Sequence, residues 1–519
     1  MVILIDGCAK LWYTVIKSRG GVGMQSVTNV ETMRKSDAEA IHSGTTGIEL
    51  MRRAGEGIFH SYAWRGPVAI VCGSGNNAGD GYVLATLLDN TGIDCTLFLL
   101  SDHFSPDGAY YYEKCKEIGI KTECFTEKSD LSGYAEIVDC MFGTGFRGEV
   151  KGLAATAIER INESRAFVIS VDINSGLNGD NGTYKTCVCS DLTVSVGTYK
   201  SGHFLNGAKD VIGATVNVDI GIPISGVCYK LIEKKDLKAV LKPRLQDSHK
   251  GSYGYVSLIG GCTSYAGAVK LANLSCAALR AGCGVAQLAV PASLAKAVLP
   301  YLLESTLALL PDRDGQMIYN AQALDGVLAK QKAVAIGMGW GSSPEYHKIL
   351  AHILQAYAFT VVIDADGLNT LAGMDQTILE KSACSILLTP HPMEMSRLSG
   401  CSIEEIRNDP IGVAERYARA HHVTVLLKGA CSVVTDGKET YLANRGCAGM
   451  ATAGSGDVLS GILVGLLGYN TLSPFTAACG AYLAGLAGEL AEADVNPISM
   501  LASDTVAHIP GAISSILNA

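Results

Sequence analysis

The sequence predicts two α/β domains, each built on a largely parallel sheet. Three observations carry this expectation. Short, continuous apolar runs alternate with helical patterns along most of the chain, as strands covered on both faces require. Several of these runs end in loops containing glycine and aspartate, and 519 residues exceed what one hydrophobic core usually supports. In sheets of this kind ligands bind at the carboxyl ends of strands, so chemistry is to be sought in those loops.

Residues 1–24 precede the first regular pattern and carry Lys10, Lys17 and Arg19 among apolar residues. They have no clean apolar segment and cleavage site, so they read as an extension, not a signal peptide, with Met24 a second candidate start. Residues 67–72 form a buried-strand pattern running into Gly73-Ser-Gly-Asn76-Asn77-Ala78-Gly79-Asp80-Gly81, a glycine-rich turn, before a helical stretch over residues 82–88. Strand, glycine turn and helix together make an anion-binding unit, and the asparagine and aspartate oxygens suit ribose hydroxyls or a hard cation. Residues 136–148 and 167–177 repeat the theme: Asp139 and Asp172 each emerge from an apolar strand into a glycine-containing loop. Asn77, Asp139 and Ser175 then offer oxygen ligands for a monovalent or divalent cation, leaving Asp172 as acid or base. Ordinary turn formation and helix capping explain each of these residues singly just as well.

A charged, lysine-rich stretch over residues 233–250 separates the halves and is the expected linker. Beyond it, strands are expected at residues 253–261, 285–291, 333–338, 360–364, 385–389, 423–428 and 432–435, with helices such as 267–281 and 410–420 between them. Loops rich in function follow four of these strands: Gly337-Met-Gly339-Trp-Gly341, Asp364-Ala-Asp-Gly-Leu-Asn369, Thr389-Pro-His391-Pro-Met-Glu394-Met-Ser-Arg397-Leu, and Lys428-Gly429-Ala430. The most informative feature is Ala453-Gly-Ser-Gly456-Asp457-Val-Leu-Ser-Gly461, ahead of an apolar helical run to Leu467. Its glycines let backbone N–H groups approach an anion, the helix start is electropositive, and Asp457 is placed to take a proton from a substrate hydroxyl. Alone, a glycine turn before a buried helix is the commoner reading of such a motif.

The carboxy-terminal half, from about residue 253, resembles the ribokinase-like ADP/ATP-dependent NAD(P)H-hydrate dehydratases in the motifs at 389–398 and 453–461. Met393 stands where that family has glycine and Ser455 where it has threonine. Residues 26–222 resemble the NAD(P)H-hydrate epimerases through 32–37, 49–55, the 73–81 turn and 190–197, with Ala78 in place of glycine and Asn174 in place of proline. The resemblance implies a Rossmann-like doubly wound domain at 25–230 and a ribokinase-like domain at 231–519. It implies potassium on Asn77, Asp139 and Ser175. Around the hydrated nucleotide it implies Asn76, Asn77, Ala78, Gly79, Asp80, Gly143, Thr144, Gly145, Phe146, Arg147, Gly148, Glu149 and Asp172. In the second half it implies Ala268, Gly339 and His391 on the hydrated substrate. Lys428, Gly429, Ala430, Cys431 and Ser432 would meet ADP or ATP with magnesium, Gly456 would lie in an anion hole, and Asp457 would be the base.

The activity so implied is repair of hydrated NADH and NADPH (NADHX and NADPHX), with epimerisation in one half and nucleotide-driven dehydration of the S form in the other. The resemblance also implies a homo-oligomer. A small-molecule kinase acting on a vitamin precursor, with a regulatory first domain, is the alternative, and the 389–397 motif speaks against it. The first fold also serves as a binding module in mRNA-decapping scaffolds, whereas intact Asn76, Asn77, Asp80, Asp139 and Asp172 favour catalysis. A formal net charge of −9 and a pI near 5.7 exclude the basic footprint of a nucleic-acid binder. Seventeen cysteines without a Cys-x-x-Cys fit a reduced cytoplasm. No apolar run reaches the roughly 18 residues of a membrane span, and residues 458–468 read as a buried helix.

Overall fold

The computed structural model describes residues 24–277 and 280–519, so all of the expected extension except Met24 lies outside the described residues. The chain divides into two compact units between Cys228 and Tyr229.

In the first unit β1 (Gln25–Thr28), α1 (Val30–His42) and α2 (Gly47–His60) lead into β2 (Val68–Cys72), α3 (Asn76–Asn90), β3 (Cys95–Leu99), α4 (Pro106–Glu117), β4 (Lys121–Cys124) and β5 (Glu136–Cys140). After these come α5 (Leu153–Glu163), β6 (Phe167–Val171), β7 (Ser190–Val196), β8 (Tyr199–Lys200), α6 (Ala208–Val211) and β9 (Ile212–Val218). The main sheet runs β4-β3-β2-β5-β6-β7-β9 and is parallel throughout. Its central strand β2 is apolar at every position because both faces are covered: Val68, Ile70 and Cys72 join a core with Ile58, Leu84 and Leu88, while Ala69 and Val71 join another with Ile137, Ile158 and Ile161; the edge strand β4 is polar and mostly exposed. Strand order reverses between β2 and β5, which opens a crevice at their carboxyl ends.

The glycine segment corrects one expectation. Residues 73–81 are not a turn throughout; α3 already begins at Asn76, capped by Gly75. Glycines 79 and 81 are there for close packing, since a side chain at Gly81 would stand 2.9 Å from Cys140 Sγ and one at Gly79 would collide with Met51. Asn76, Asn77 and Asp80 consequently ride on a rigid first turn and a half of helix.

The second unit opens with β10 (Tyr229–Leu231), which pairs in parallel with a strand near the far end of the unit. The polar stretch expected as a linker is ordered: residues 234–239 form a 3-10 turn, Leu237 and Val240 are buried, and the Val240 carbonyl accepts a hydrogen bond from Asn470 at 3.2 Å. Then follow β11 (Tyr255–Ile259), α7 (Ala266–Ala277), β12 (Val285–Pro291), α8 (Ala295–Val298), β13 (Thr306–Leu310), β14 (Asp312–Arg313), β15 (Gln316–Met317), α9 (Ala321–Leu328), β16 (Ala333–Ile336), α10 (Glu345–Ala356), β17 (Thr360–Ile363), α11 (Asp366–Ala372) and α12 (Thr377–Glu380). The unit closes with β18 (Ser385–Leu388), α13 (Pro392–Ser399), α14 (Ile403–Asn408), α15 (Pro410–His421), β19 (Thr424–Leu427), β20 (Ser432–Thr435), β21 (Thr440–Ala443), α16 (Ser455–Leu467), α17 (Pro474–Val495) and α18 (Ala502–Leu517).

Strands in this unit run β13-β12-β11-β16-β17-β18-β19-β20-β21-β10. All pairs from β13 to β19 are parallel, whereas β19, β20 and β21 are mutually antiparallel. Helix α16 is buried from Val458 to Leu467 and packs on α7 and α17, which explains why its sequence is apolar on every side. Gly454, at φ +95°, turns the chain into it; a side chain there would strike Leu271 and Ala502.

Candidate active sites

The crevice of the first unit is a cavity of about 530 Å³ lined by Asn76, Asn77, Asp80, Gly143, Thr144, Gly145, Phe146 and Asp172. Eight of the residues expected around a hydrated nucleotide thus come together from the ends of β2, β5 and β6. Ala78 is buried in the core and Gly79 packs on Met51. Arg147, Gly148 and Glu149 lie outside the lining, with Glu149 paired to Lys185.

Asp172 sits at φ +64°, a conformation costly for a residue with a side chain and kept only where the surroundings dictate it. The Lys200 ammonium pairs with its carboxylate, and the Thr144 amide donates to the other oxygen at 3.0 Å. Burial pushes this carboxyl up, but Lys200 and the Thr144 amide outweigh it and hold it below the ordinary range. Asp80 and Asp37 line the same cavity and behave oppositely. Burial and the charge of Asp172 drive Asp80 well above the usual carboxylate range, and burial lifts Asp37 to about 6 against the pull of Lys200.

The three expected cation ligands divide. Asn77 is 7% exposed, and neither its side-chain oxygen nor its nitrogen has a partner, so it presents unused ligand capacity. Asp139 has spent its own: one oxygen accepts from the Ser175 hydroxyl and the Met141 amide at 3.2 Å, the other from the Ser170 hydroxyl at 2.9 Å and the Ser175 amide at 2.8 Å. Ser175 Oγ also accepts from the Phe142 amide at 2.9 Å. Asp139 is therefore a hub that ties the β5 and β6 loops together, and burial raises its carboxyl despite those donors. Among the described residues no group of three or more His, Cys, Asp or Glu side chains converges as a metal site.

In the second unit the site gathers at the ends of β17, β18 and β19 beside the start of α16. Lys428 Nζ lies 2.8 Å from Asp364 and 3.6 Å from Glu394, and the second Asp364 oxygen accepts from Ser460 Oγ at 2.7 Å. Gly456 sits over this pair, since a side chain there would stand 3.5 Å from Lys428 Nζ. Burial and the neighbouring Asp364 charge raise Asp457 to about 7, with Lys428 opposing. Ser455 Oγ, in the first turn of α16, is buried without a partner. An electropositive helix start, an unused hydroxyl and a carboxylate poised near neutrality thus share one turn.

Ala268 and Gly339 meet, with 3.0 Å between the Ala268 methyl and the position a Gly339 side chain would take. His391 caps α13: its Nδ1 accepts from the amides of Met393 and Glu394 at 3.1 and 3.2 Å, while Nε2 lies 3.4 Å from Glu394. Met393 is 49% exposed, away from the buried pair. Gly429 and Ala430 form the exposed tip between β19 and β20, and Cys431 turns inward while Ser432 begins β20.

Lys200, Asp37 and His203 were not singled out from sequence, and Asp364 and Glu394 were noted without a role. A lysine following Tyr199 directly after an apolar strand was the available signal for the first; Asp37, Asp364 and Glu394 lay within the quoted motifs, and His203 lay outside all of them.

Two family patterns match the chain: that described as YjeF-related protein N-terminus over residues 47–202, and that described as NAD(P)H-hydrate dehydratase over residues 256–511. The chain is 35% identical over 490 residues to a bifunctional NAD(P)H-hydrate repair enzyme of Moorella thermoacetica, covering 89% of this chain and 92% of that protein. It is 33% identical over 499 residues to the protein of the same name in Escherichia coli, covering 92% of each. A crystal structure of the ADP/ATP-dependent NAD(P)H-hydrate dehydratase of Bacillus subtilis with ATP and magnesium aligns at 27% identity and a TM-score of 0.48, over 55% of this chain and 97% of that one.

Proposed function

Because the chain belongs to the bifunctional NAD(P)H-hydrate repair enzymes, we propose that its two activities are divided between its two units, epimerisation in the first and dehydration in the second. The protein interconverts the R and S forms of hydrated NADH and NADPH and restores the reduced cofactor from the S form. The observation that carries the division is the pair of separate carboxylate sites, each at the carboxyl ends of parallel strands in its own unit.

Dehydration is slow unaided because hydroxide leaves poorly. Phosphoryl transfer from ADP or ATP to the substrate hydroxyl converts it to a phosphate that leaves readily, so a kinase-like site serves a dehydratase. Asp457 takes the hydroxyl proton, its carboxyl raised to about 7, close to the working pH of such a base. The amides and the unused Ser455 hydroxyl at the head of α16 hold the transferring phosphoryl group. Lys428, kept cationic because Asp364 and Glu394 outweigh its burial, lies beneath Gly456 where donor phosphates would approach. Magnesium carried on the donor supplies further charge neutralisation. ADP is the proposed preferred donor.

In the first unit Asp172 acts as acid or base in epimerisation. Potassium is the proposed cation there, held by Asn77, Asp139 and Ser175. The unpartnered Asn77 side chain supports this, while Asp139 reaches an ion only by giving up one of its present donors. The family resemblance extends the reading to a cytoplasmic homo-oligomer; among the described residues no helix is long and apolar enough to cross a membrane.

The test is incubation of hydrated NADH with ADP and magnesium, following absorbance of the regenerated reduced ring, with ATP in parallel. A stable phosphorylated product without ring regeneration would mark a small-molecule kinase instead.

A further inference from the structure

We propose that Asp80 is the acid partner of Asp172 in epimerisation and that the buried Lys200 is the positioning residue that keeps Asp172 as the base. The proposal rests on reading the first unit's cavity as the epimerase site.

Lys200 is 1% exposed, yet its ammonium faces the cavity lining, where it pairs with Asp172 and donates to the Val196 carbonyl at 2.7 Å. A buried lysine is expensive unless its charge is used. His203 binds the two partners together: its Nδ1 accepts from the Lys200 amide at 3.0 Å, so the proton sits on Nε2, which donates to the Asp172 carbonyl at 2.8 Å. Burial pushes this imidazole down to about 4, so it stays neutral and adds no charge. Together with the Thr144 amide, these contacts lock the strained Asp172 backbone and leave its carboxylate with one fixed direction.

Asp80 and Asp37 face the same space with no hydrogen-bond donor on either carboxyl among the described residues. Arg34 and Asp107 are the other charged groups of the lining, and Arg34 spends its guanidinium on the Gly145 carbonyl at the exposed rim. Lys200 is committed to Asp172, so Asp80 faces the cavity without a cation of its own, and burial together with the Asp172 charge raises its carboxyl well above the usual range. Asp80 is better placed than Asp37: it lies on the first turns of α3 with Asn77, and Gly143 brings Asn77 and Asp172 together, since a side chain there would touch both. Two carboxyls pushed apart by their surroundings are the usual mark of an acid and a base.

The epimeric carbon of a hydrated nicotinamide carries a hydroxyl and is bonded to the ring nitrogen. Asp172 takes the hydroxyl proton as the carbon–oxygen bond becomes double. The carbon–nitrogen electron pair passes to nitrogen, which takes the proton of Asp80. After rotation the nitrogen adds to the opposite face, returns its proton to Asp80, and the oxygen regains a proton from Asp172. Nothing is consumed, and Lys200 stays cationic throughout.

The experiment uses the full chain and measures exchange of the NADHX epimers by chromatography, from acidic to alkaline pH, with the melting temperature of each variant as a check on folding. Asp80→Asn, equal in shape, should lower kcat by about 100-fold or more, while KM stays within about threefold. Lys200→Met should lower kcat and move the acidic limb of the pH profile upward by about one pH unit or more, because Asp172 loses the charge that favours its ionised form; Lys200→Arg should recover part of both. Full exchange in Asp80→Asn overturns the acid, and an unmoved limb in a folded Lys200→Met overturns the positioning role. If Lys200→Met does not fold, Lys200→Gln is read on the same limb of the pH profile, and an unmoved limb there overturns the positioning role. Undiminished exchange in Asp172→Asn would instead overturn the reading of the cavity itself.

Discussion

Asp457→Asn should destroy dehydration and at the same time stabilise the second unit. The carboxyl titrates near 7 in the folded chain against an ordinary value of 3.8, chiefly through burial and the charge of Asp364. Its folded pKa lies above the unfolded one, so its favourable contribution is complete below about pH 4 and is lost as pH rises through about 7. At pH 8 an ionised, partly buried carboxylate therefore costs the folded state on the order of 2–4 kcal/mol, taking 1.36 kcal/mol per pH unit and allowing for relaxation and water. Asparagine carries no such cost and leaves Lys428 paired with Asp364 and Glu394, so no charge is orphaned. The variant should melt roughly 4–8 °C above the parent at pH 8 in the transition belonging to the second unit, with the gain vanishing towards pH 4. Calorimetry without nucleotide at several pH values reads this directly, and dehydration of the S epimer should fall by about 100-fold or more, with epimer exchange intact. A variant that is less stable than the parent at pH 8, a gain that grows as pH falls, or retained dehydration would refute the reasoning.

Asp172→Ala should abolish accelerated epimer exchange and leave dehydration of pure S epimer unchanged; equal loss of both, measured in the same preparation, counts against separate sites. Potassium should raise the melting temperature of the first unit's transition relative to an equal concentration of a bulky organic cation, by an amount set by the ion's affinity for the folded state, and Asp139→Ala should erase that difference. Chains ending at Cys228 and beginning at Tyr229 should each fold and keep one activity. One beginning at Asp236 should be less soluble, because it lacks β10 and exposes the edge of β21. Asn174→Pro should destabilise the first unit by about 3 kcal/mol or more in urea titrations, since the buried groups now bonded to Asn174 would lose their partners.

Much of the second unit's sheet was legible because a strand covered on both faces reads as a short, mostly apolar run, and β12 and β20 appear at the expected bounds. The buried strands β3 and β21 were not expected, nor were elements whose sequence obeys another constraint. β13 has an exposed edge and an uneven burial pattern, and β10 is three residues long within a polar stretch, so neither shows the periodicity that marks a strand. The start of α3 was misplaced because Gly79 and Gly81 signal a turn in sequence, whereas in space they answer to Met51 and Cys140 across a helix–helix and a helix–sheet contact. For the sites, the carboxylates announced themselves by standing at strand ends. Lys200 did not, because a single lysine after a strand is ordinarily a solvated surface residue, and only the fold places it opposite Asp172.

The departures from the family motifs show why a motif is read as geometry and not as letters. Asn174 lacks the fixed φ of the proline it replaces, yet it is wholly buried and makes four bonds: its amide nitrogen donates to the carbonyls of Val188 and Val211 and to Ser190 Oγ at 2.8, 2.9 and 3.0 Å, and its oxygen accepts from Thr193 Oγ1 at 2.6 Å. Side-chain bonding has taken over the work of a rigid ring in holding the loop between Asp172 and Ser175. Ala78 points into the core, where a methyl group adds apolar contact without entering the cavity. Met393 lies on the exposed side of α13, its sulfur 3.4 Å from Arg397 Nη2, so the wall formed by Lys428 and Glu394 is untouched. Ser455 keeps a hydroxyl, buried at the helix start without a protein partner. Ala78, Asn174 and Met393 therefore leave the two carboxylate sites, one lining the cavity and one paired with Lys428, unaltered in the structure, and Ser455 leaves a hydroxyl at the head of α16.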